Sequence, residues 1–155
     1  MRPRNLRLRG FTCYSDEVEI DFSKMDLFVI SGPTGSGKST LIDAICYALY
    51  GRVPRVEGTA ALISHNRDEM FVHLEFSAGG QLYRVLRSVN RRRRTAKDGT
   101  EKVSRIPSPV QFERCDGGEW QPLGDRAREI DPQIEDILGL DFNGFTRCIV
   151  LPQGQ

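Results

Sequence analysis

A chain of 155 residues can bury one hydrophobic core, and 39% hydrophobic with 28% charged residues is the composition of a water-soluble globular domain. No apolar run approaches the ~20 residues that a membrane helix needs, and the opening MRPRNLRLRG is charged where a secretory signal requires its apolar stretch. A cytoplasmic location without membrane contact is therefore expected. Net charge is +1, so any affinity for a polyanion must come from local clustering. Cys13, Cys46, Cys115 and Cys148 are far apart, as are His65 and His73, which argues against disulfides and a zinc site.

The chain opens with two half-buried strands. Leu6 and Leu8 alternate with Arg7 and Arg9, and Val18, Ile20 and Phe22 alternate with Glu17, Glu19 and Asp21. Gly10 to Asp16 makes the turn between them. The continuous apolar run Leu27, Phe28, Val29, Ile30 then reads as a third strand, of the kind buried in a parallel sheet.

That run feeds the stretch that carries the chemistry. Gly32, Gly37, Lys38 and Ser39 satisfy G-x-x-x-x-G-K-[ST], in which glycines let backbone N–H groups turn inward around phosphates. The candidate nucleotide-binding residues are Gly32, Pro33, Thr34, Gly35, Ser36, Gly37, Lys38, Ser39 and Thr40. Lys38 would reach the β- and γ-phosphates, the Ser39 hydroxyl would ligate Mg²⁺, and a helix opening at Thr40 would turn its positive end to the anion. Leu41, Ile45, Ala48 and Leu49 give that helix an apolar face, and Gly51 is placed to cap it. A plain glycine turn fits the spacing less well, because a strand precedes it and a helix follows.

Pro54, Gly58 and the lack of period make residues 52–69 a loop. Met70, Val72, Leu74 and Phe76 mark a strand with one buried face, leaving His73 on a solvated one. Gly79 and Gly80 turn it into Leu82 to Val89, and a further strand spans Val110 to Cys115 before the turn Asp116, Gly117, Gly118. Asp131 and Pro132 are an expected helix start, Gly139 its end, and Phe142 to Val150 a second helical or mixed segment. The fold class expected is α/β, a P-loop NTPase with an antiparallel β-layer beside the nucleotide-binding core.

No apolar strand ending in a Mg²⁺-binding Asp follows Ser39, and Glu129 and Asp131 flank a helix start instead. The expectation is half of an active site: residues 1–155 would bind nucleotide weakly and not turn it over without a second lobe.

With these residues laid out, the sequence resembles the N-terminal half of the ATPase head of the SbcC family, the bacterial SMC-like DNA-repair ATPases within the ABC superfamily. ISGPTGSGKSTLIDAICYALYG at 30–51 carries the likeness, as do GLDFNGFTRCIVLPQGQ at 139–155 and the opening LRLRGFTCYSDEVEIDF. The resemblance implies an ABC/SMC-type head whose Q-loop glutamine, matching Gln153, senses the γ-phosphate and helps to ligate Mg²⁺. Lys38 and Gln153 would then be the catalytic residues of this half, with Ser39 and Gln153 on the metal. It also implies ATP and Mg²⁺ as cofactors, and a C-terminal lobe of the same polypeptide after a long coiled coil with a zinc hook. Two heads would form a homodimer bridged by ATP, and the ATPase would gate an SbcD nuclease partner on double-stranded DNA. Archaeal relatives place an Arg in the first hairpin turn near the nucleotide, where this chain has Gly10, Phe11, Thr12 and Cys13. The stretch Ser64, His65, Asn66, Arg67 matches a segment that passes close to the nucleotide in the family.

Arg91, Arg92, Arg93 and Arg94, with Arg84, Arg87, Lys97 and Lys102 around them, form the dense basic cluster, expected at the far end of a hairpin. It is the candidate DNA contact, against the alternative of a solvated loop tip. An ABC transporter-type nucleotide-binding protein is the competing function, but a separation of 115 positions from Lys38 to Gln153 is long for one. A GTPase is excluded, because D-x-x-G at Asp136 to Gly139 lies in a helical stretch and no N-K-x-D follows. A non-catalytic remnant would lack affinity for ATP with Mg²⁺.

Overall fold

The computed structural model describes residues 1–56, 58–95 and 101–148. Period-two alternation produces β1 (Arg2–Arg9), β2 (Val18–Asp21), β3 (Glu69–Ala78), β4 (Gln81–Thr95), β5 (Glu101–Asp116) and β6 (Glu119–Gly124). These pair antiparallel throughout in the order β2-β1-β3-β4-β5-β6. One face of this sheet is dry: Leu6, Leu8, Val72, Leu74, Phe76, Val85 and Phe112 are fully buried. Helix α1 (Lys38–Tyr50) lies on that face over β3 and β4. Its second half is buried nearly all round, from Cys46 to Tyr50. Burial pushes the Cys46 thiol up to about 12, so it behaves as a small apolar group.

The apolar run at 27–30 departs from expectation. It forms no strand, and Leu27 and Val29 are 89% and 87% exposed. A strand needs a neighbour to complete its ladder, and β1 is already flanked on both sides by β2 and β3. No described strand lies alongside, so only Phe28 and Ile30 find apolar contact, Phe28 through the Phe22 ring at 4.7 Å between centroids. The result is an open apolar recess of about 480 Å³ lined by Phe22, Phe28, Ile30, Ile42, Ile45 and Phe145.

The carboxy-terminal helix also begins elsewhere. Helix α2 (Ala127–Leu138) starts a turn before Asp131, so Pro132 falls inside it. Ile130 and Ile134, four residues apart, are both fully buried, and burying Ile130 requires the extra turn. Gly139 ends α2 in the left-handed conformation, as the sequence implies, with its N–H donating to Glu135 O. Helix α3 (Phe142–Cys148) follows. β6 is a further strand that the irregular EWQPLG does not announce. It is an edge, where Pro122 is tolerated, and Trp120 stacks under the Arg84 guanidinium at 4.3 Å.

Arg87, assigned by sequence to the basic cluster, points instead into the core. It shares the dry-face parity of Val85 and Val89 and is 3% exposed. Its Nε donates to Ala48 O at 2.7 Å, and its Nη2 donates to Leu49 O at 2.9 Å and Asp131 Oδ1 at 2.6 Å. It thus caps the last carbonyls of α1 and ties that helix to α2. Arg84 lies on the opposite face and pairs with Glu113.

His73 stands on the outer face but is not solvated. Its Nδ1 is buried without a hydrogen-bond partner among the described residues, and burial, then Arg7 and Arg84, holds its pKa below the ordinary value, against weaker opposing pulls from Glu113 and Glu19. The unfolded chain therefore binds a proton at His73 more readily than the folded one. Stability should rise with pH across the window from the lowered folded pKa up to the ordinary value of ~6.5, and fall as pH drops through it. Thermal melts between pH 5 and 7.5 should show this slope, and His73→Gln should flatten it; an equal slope in both would remove His73 as its source.

Candidate nucleotide-binding site

Residues 31–37 turn from the apolar run into α1 through left-handed glycines, Gly35 at φ 82° and Gly37 at φ 89°. A Cβ at Gly37 would also lie 2.7 Å from Cys13 Sγ and 3.0 Å from the Tyr14 hydroxyl, so a larger residue would displace those side chains as well as strain the backbone. The first hairpin turn presses against the loop from that side. The Tyr14 hydroxyl donates to Gly37 O at 3.2 Å, and the Cys13 thiol donates to the Thr40 hydroxyl at 3.7 Å. Burial raises the Tyr14 phenol, which keeps it a neutral donor.

The first intrahelical bond of α1 is Leu41 N–H to Gly37 O at 3.3 Å, and Gly37 has no side chain to cap the helix. The amides of Lys38, Ser39 and Thr40 therefore precede the intrahelical ladder, at the positive end of the helix. Lys38 Nζ folds back onto Gly32 O and Pro33 O at 2.7 and 2.6 Å. An ammonium parked on two loop carbonyls beside uncapped amides suits an anion that several N–H groups can share.

The cavity at this loop has a volume of about 480 Å³ and is lined by Thr34, Gly35, Gly37, Lys38, Ser39 and Thr40. Thr12, Cys13 and Arg55 complete the wall. Thr12 and Cys13 belong to the hairpin turn that the resemblance places near the nucleotide, whereas Arg55 escaped the sequence reading, although Pro54 and Arg55 between two valines is a recognisable tight-turn signal. Ser64, His65, Asn66 and Arg67 do not line the cavity. Ser64 is instead a buried brace, its hydroxyl donating to Thr12 O at 2.7 Å and its N–H to Gly10 O at 2.7 Å. Arg67 pairs with Asp16 at 2.7 Å. No group of three or more His, Cys, Asp or Glu able to hold a metal occurs among the described residues, and the Ser39 hydroxyl lines the cavity. Gln153 lies outside the described residues.

The basic cluster divides. β3 ends its pairing at Asn90, so the segments at 91–95 and 101–105 continue as a two-stranded ribbon beyond it. Arg91 is turned back at the ribbon's base: its side chain is 13% exposed, contacts Asp68 at 3.3 Å and donates to Arg67 O. Arg92 is exposed; the side chains of Arg93 and Arg94 lie outside the description.

An uncapped helix behind a glycine loop, set against an antiparallel sheet, defines the nucleotide-binding lobe of a P-loop NTPase of the ABC/SMC type. The chain belongs to the AAA domain family, whose model matches residues 5–155. It is 43% identical over 159 residues to the SbcC component of the nuclease SbcCD of Deinococcus radiodurans, covering 100% of this chain and 16% of that protein. It is 39% identical over 158 residues to the probable DNA double-strand break repair Rad50 ATPase of Aquifex aeolicus, covering 100% of this chain and 14% of that one. The chain thus spans about one sixth of the length of these curated relatives. The SMC head domain from Thermotoga maritima aligns with a TM-score of 0.44 at 23% identity, over 86% of this chain and 42% of that structure. No helix among the described residues is long and apolar enough to cross a membrane.

Proposed function

We propose that this chain is the ATP-binding half of an SbcC-type ATPase head, which drives a nuclease complex that processes DNA ends and hairpins. The observation that carries the reading is the set of uncapped amides at Lys38, Ser39 and Thr40 with the Lys38 ammonium beside them. The likeness, over the whole of this chain, to the SbcC component of the nuclease SbcCD supports the nuclease context over a transporter. Lys38 would hold the β- and γ-phosphates, Gly32 to Gly37 would cradle them, and Ser39 with Gln153 would ligate Mg²⁺. Mg²⁺, when bound, neutralises phosphate charge.

Turnover needs groups to orient water and close the metal shell, and a C-terminal lobe of the same polypeptide would supply them. The open apolar recess at Phe28 and Ile30 is a surface such a lobe would cover. ATP would then bridge two heads into a homodimer, coupled to an SbcD nuclease partner in the cytoplasm. Titrating ATP with Mg²⁺ into the chain tests this, and absence of binding would overturn it.

Double-stranded DNA would meet the ribbon through Arg92, Arg93 and Arg94, while Arg91 braces its base. Three phosphate contacts give a log affinity against log salt slope near −2.7, and four near −3.6, at about −0.9 per contact. Replacing Arg92 to Arg94 with serine should therefore flatten the slope by roughly 2.7. DNA binding with an unaltered slope would place the interface elsewhere.

A further inference from the structure

Thr12, on the wall of the nucleotide cavity, has φ 47°, and among the described residues that carry a side chain it alone has a positive φ. Glycine takes this left-handed region freely, whereas a β-branched residue is disfavoured there, so the conformation persists only where its surroundings impose it. They do so from both sides. The Thr12 N–H donates to Leu62 O at 2.7 Å, and Thr12 O accepts the Ser64 hydroxyl at 2.7 Å. Alongside, fully buried Phe11 bridges Ile63, and the Ser64 N–H donates to Gly10 O at 2.7 Å. Ser64 is 2% exposed, so its bond to Thr12 is made out of reach of solvent.

This brace is held in turn from the base of the ribbon. Arg91 Nη2 donates to Ser64 O and His65 O, each at 3.4 Å, and to Arg67 O. The Arg91 N–H donates to Asp68 O at 2.6 Å. One guanidinium thus gathers the carbonyls of the turn that carries Ser64. Neither Ser64 nor Arg91 lines the nucleotide cavity, whereas Thr12 and Cys13 do. We infer that Ser64 is a positioning residue of the nucleotide site: its hydroxyl keeps Thr12 left-handed, which sets where the Thr12–Cys13 wall stands against the glycine loop, and Arg91 keeps Ser64 in place. The inference rests on the phosphate-site reading. Without the Ser64 hydroxyl, Thr12 relaxes toward an ordinary backbone and the wall moves, although no group on the cavity itself has been altered.

ATP titration calorimetry with Mg²⁺, at a temperature where every variant is folded, compares the effect of Ser64→Ala in the wild-type chain, in Thr12→Gly and in Thr12→Asn. Glycine and asparagine accept the left-handed region, so neither needs the brace. Ser64→Ala should weaken ATP binding by about fivefold in the wild type and by less than about twofold in either background. Arg91→Gln should weaken binding in the wild type and add nothing to Ser64→Ala, as expected of two residues acting in series. An equal loss of affinity from Ser64→Ala in all three backgrounds would show that the hydroxyl does not act through Thr12, overturning the inference. Wild-type affinity in Ser64→Ala, with a lowered melting temperature and with binding lost in Lys38→Ala, would make Ser64 structural and leave the phosphate site standing. Wild-type affinity in Lys38→Ala would remove the phosphate site itself, and the positioning role with it.

Discussion

Replacing Lys38 with alanine is expected to cost on the order of 2–5 kcal/mol in nucleotide binding, roughly thirtyfold to several thousandfold in affinity. The size follows from what is left behind: phosphates in the cavity would face the helix amides but lose the ammonium nearest them. Folding should be nearly unaffected, because the contacts of Lys38 run to the carbonyls of Gly32 and Pro33 in an exposed loop. The informative result is thus a split between binding and melting temperature. Unchanged ATP affinity would overturn the assignment of the loop.

Arg87→Met should do the opposite, and to stability. Methionine fills much of the buried volume but removes the donors to Ala48 O, Leu49 O and Asp131 at once. Stranding two helix-terminal carbonyls in the core and breaking a largely buried pair should cost about 3 kcal/mol, or roughly 6–12 °C in Tm for a chain this size. Asp131→Asn should cost much less, because Asp131 is 38% exposed in its side chain and water can replace its partner. Equal losses from both variants would show that the ion pair matters and the helix capping does not.

The local signals in the sequence were reliable where one short stretch decided the outcome. The glycine loop, the α1 cap at Gly51, the Gly79–Gly80 hairpin and the α2 cap at Gly139 depend on residues adjacent in sequence. Features that depend on a neighbour distant in sequence were harder to read. An apolar run such as 27–30 states a need for burial but not whether a strand stands beside it. An arginine in an alternating strand reads as surface, and Arg87 lies inside because α1 offers carbonyls that only the folded chain brings near. Arg55 was invisible for the same reason: its distance from Lys38 is a property of the turn, not of the spacing. Asp131 read as a cap because it precedes proline, and the burial of Ile130 outweighed that local preference.

The β4–β5 ribbon gives the near-zero net charge a different meaning. Residues 91–105 hold seven basic and two acidic side chains, a charge of +5, which leaves −4 on the remainder. Five residues of extended backbone reach about 17 Å, whereas charges in water at physiological salt are screened over about 8 Å. A polyanion arriving at the ribbon would therefore feel its positive charge and little of the balancing negative charge elsewhere. The near-zero net charge is therefore a property of the sum alone, and within a screening length of residues 91–105 it is not what an anion meets.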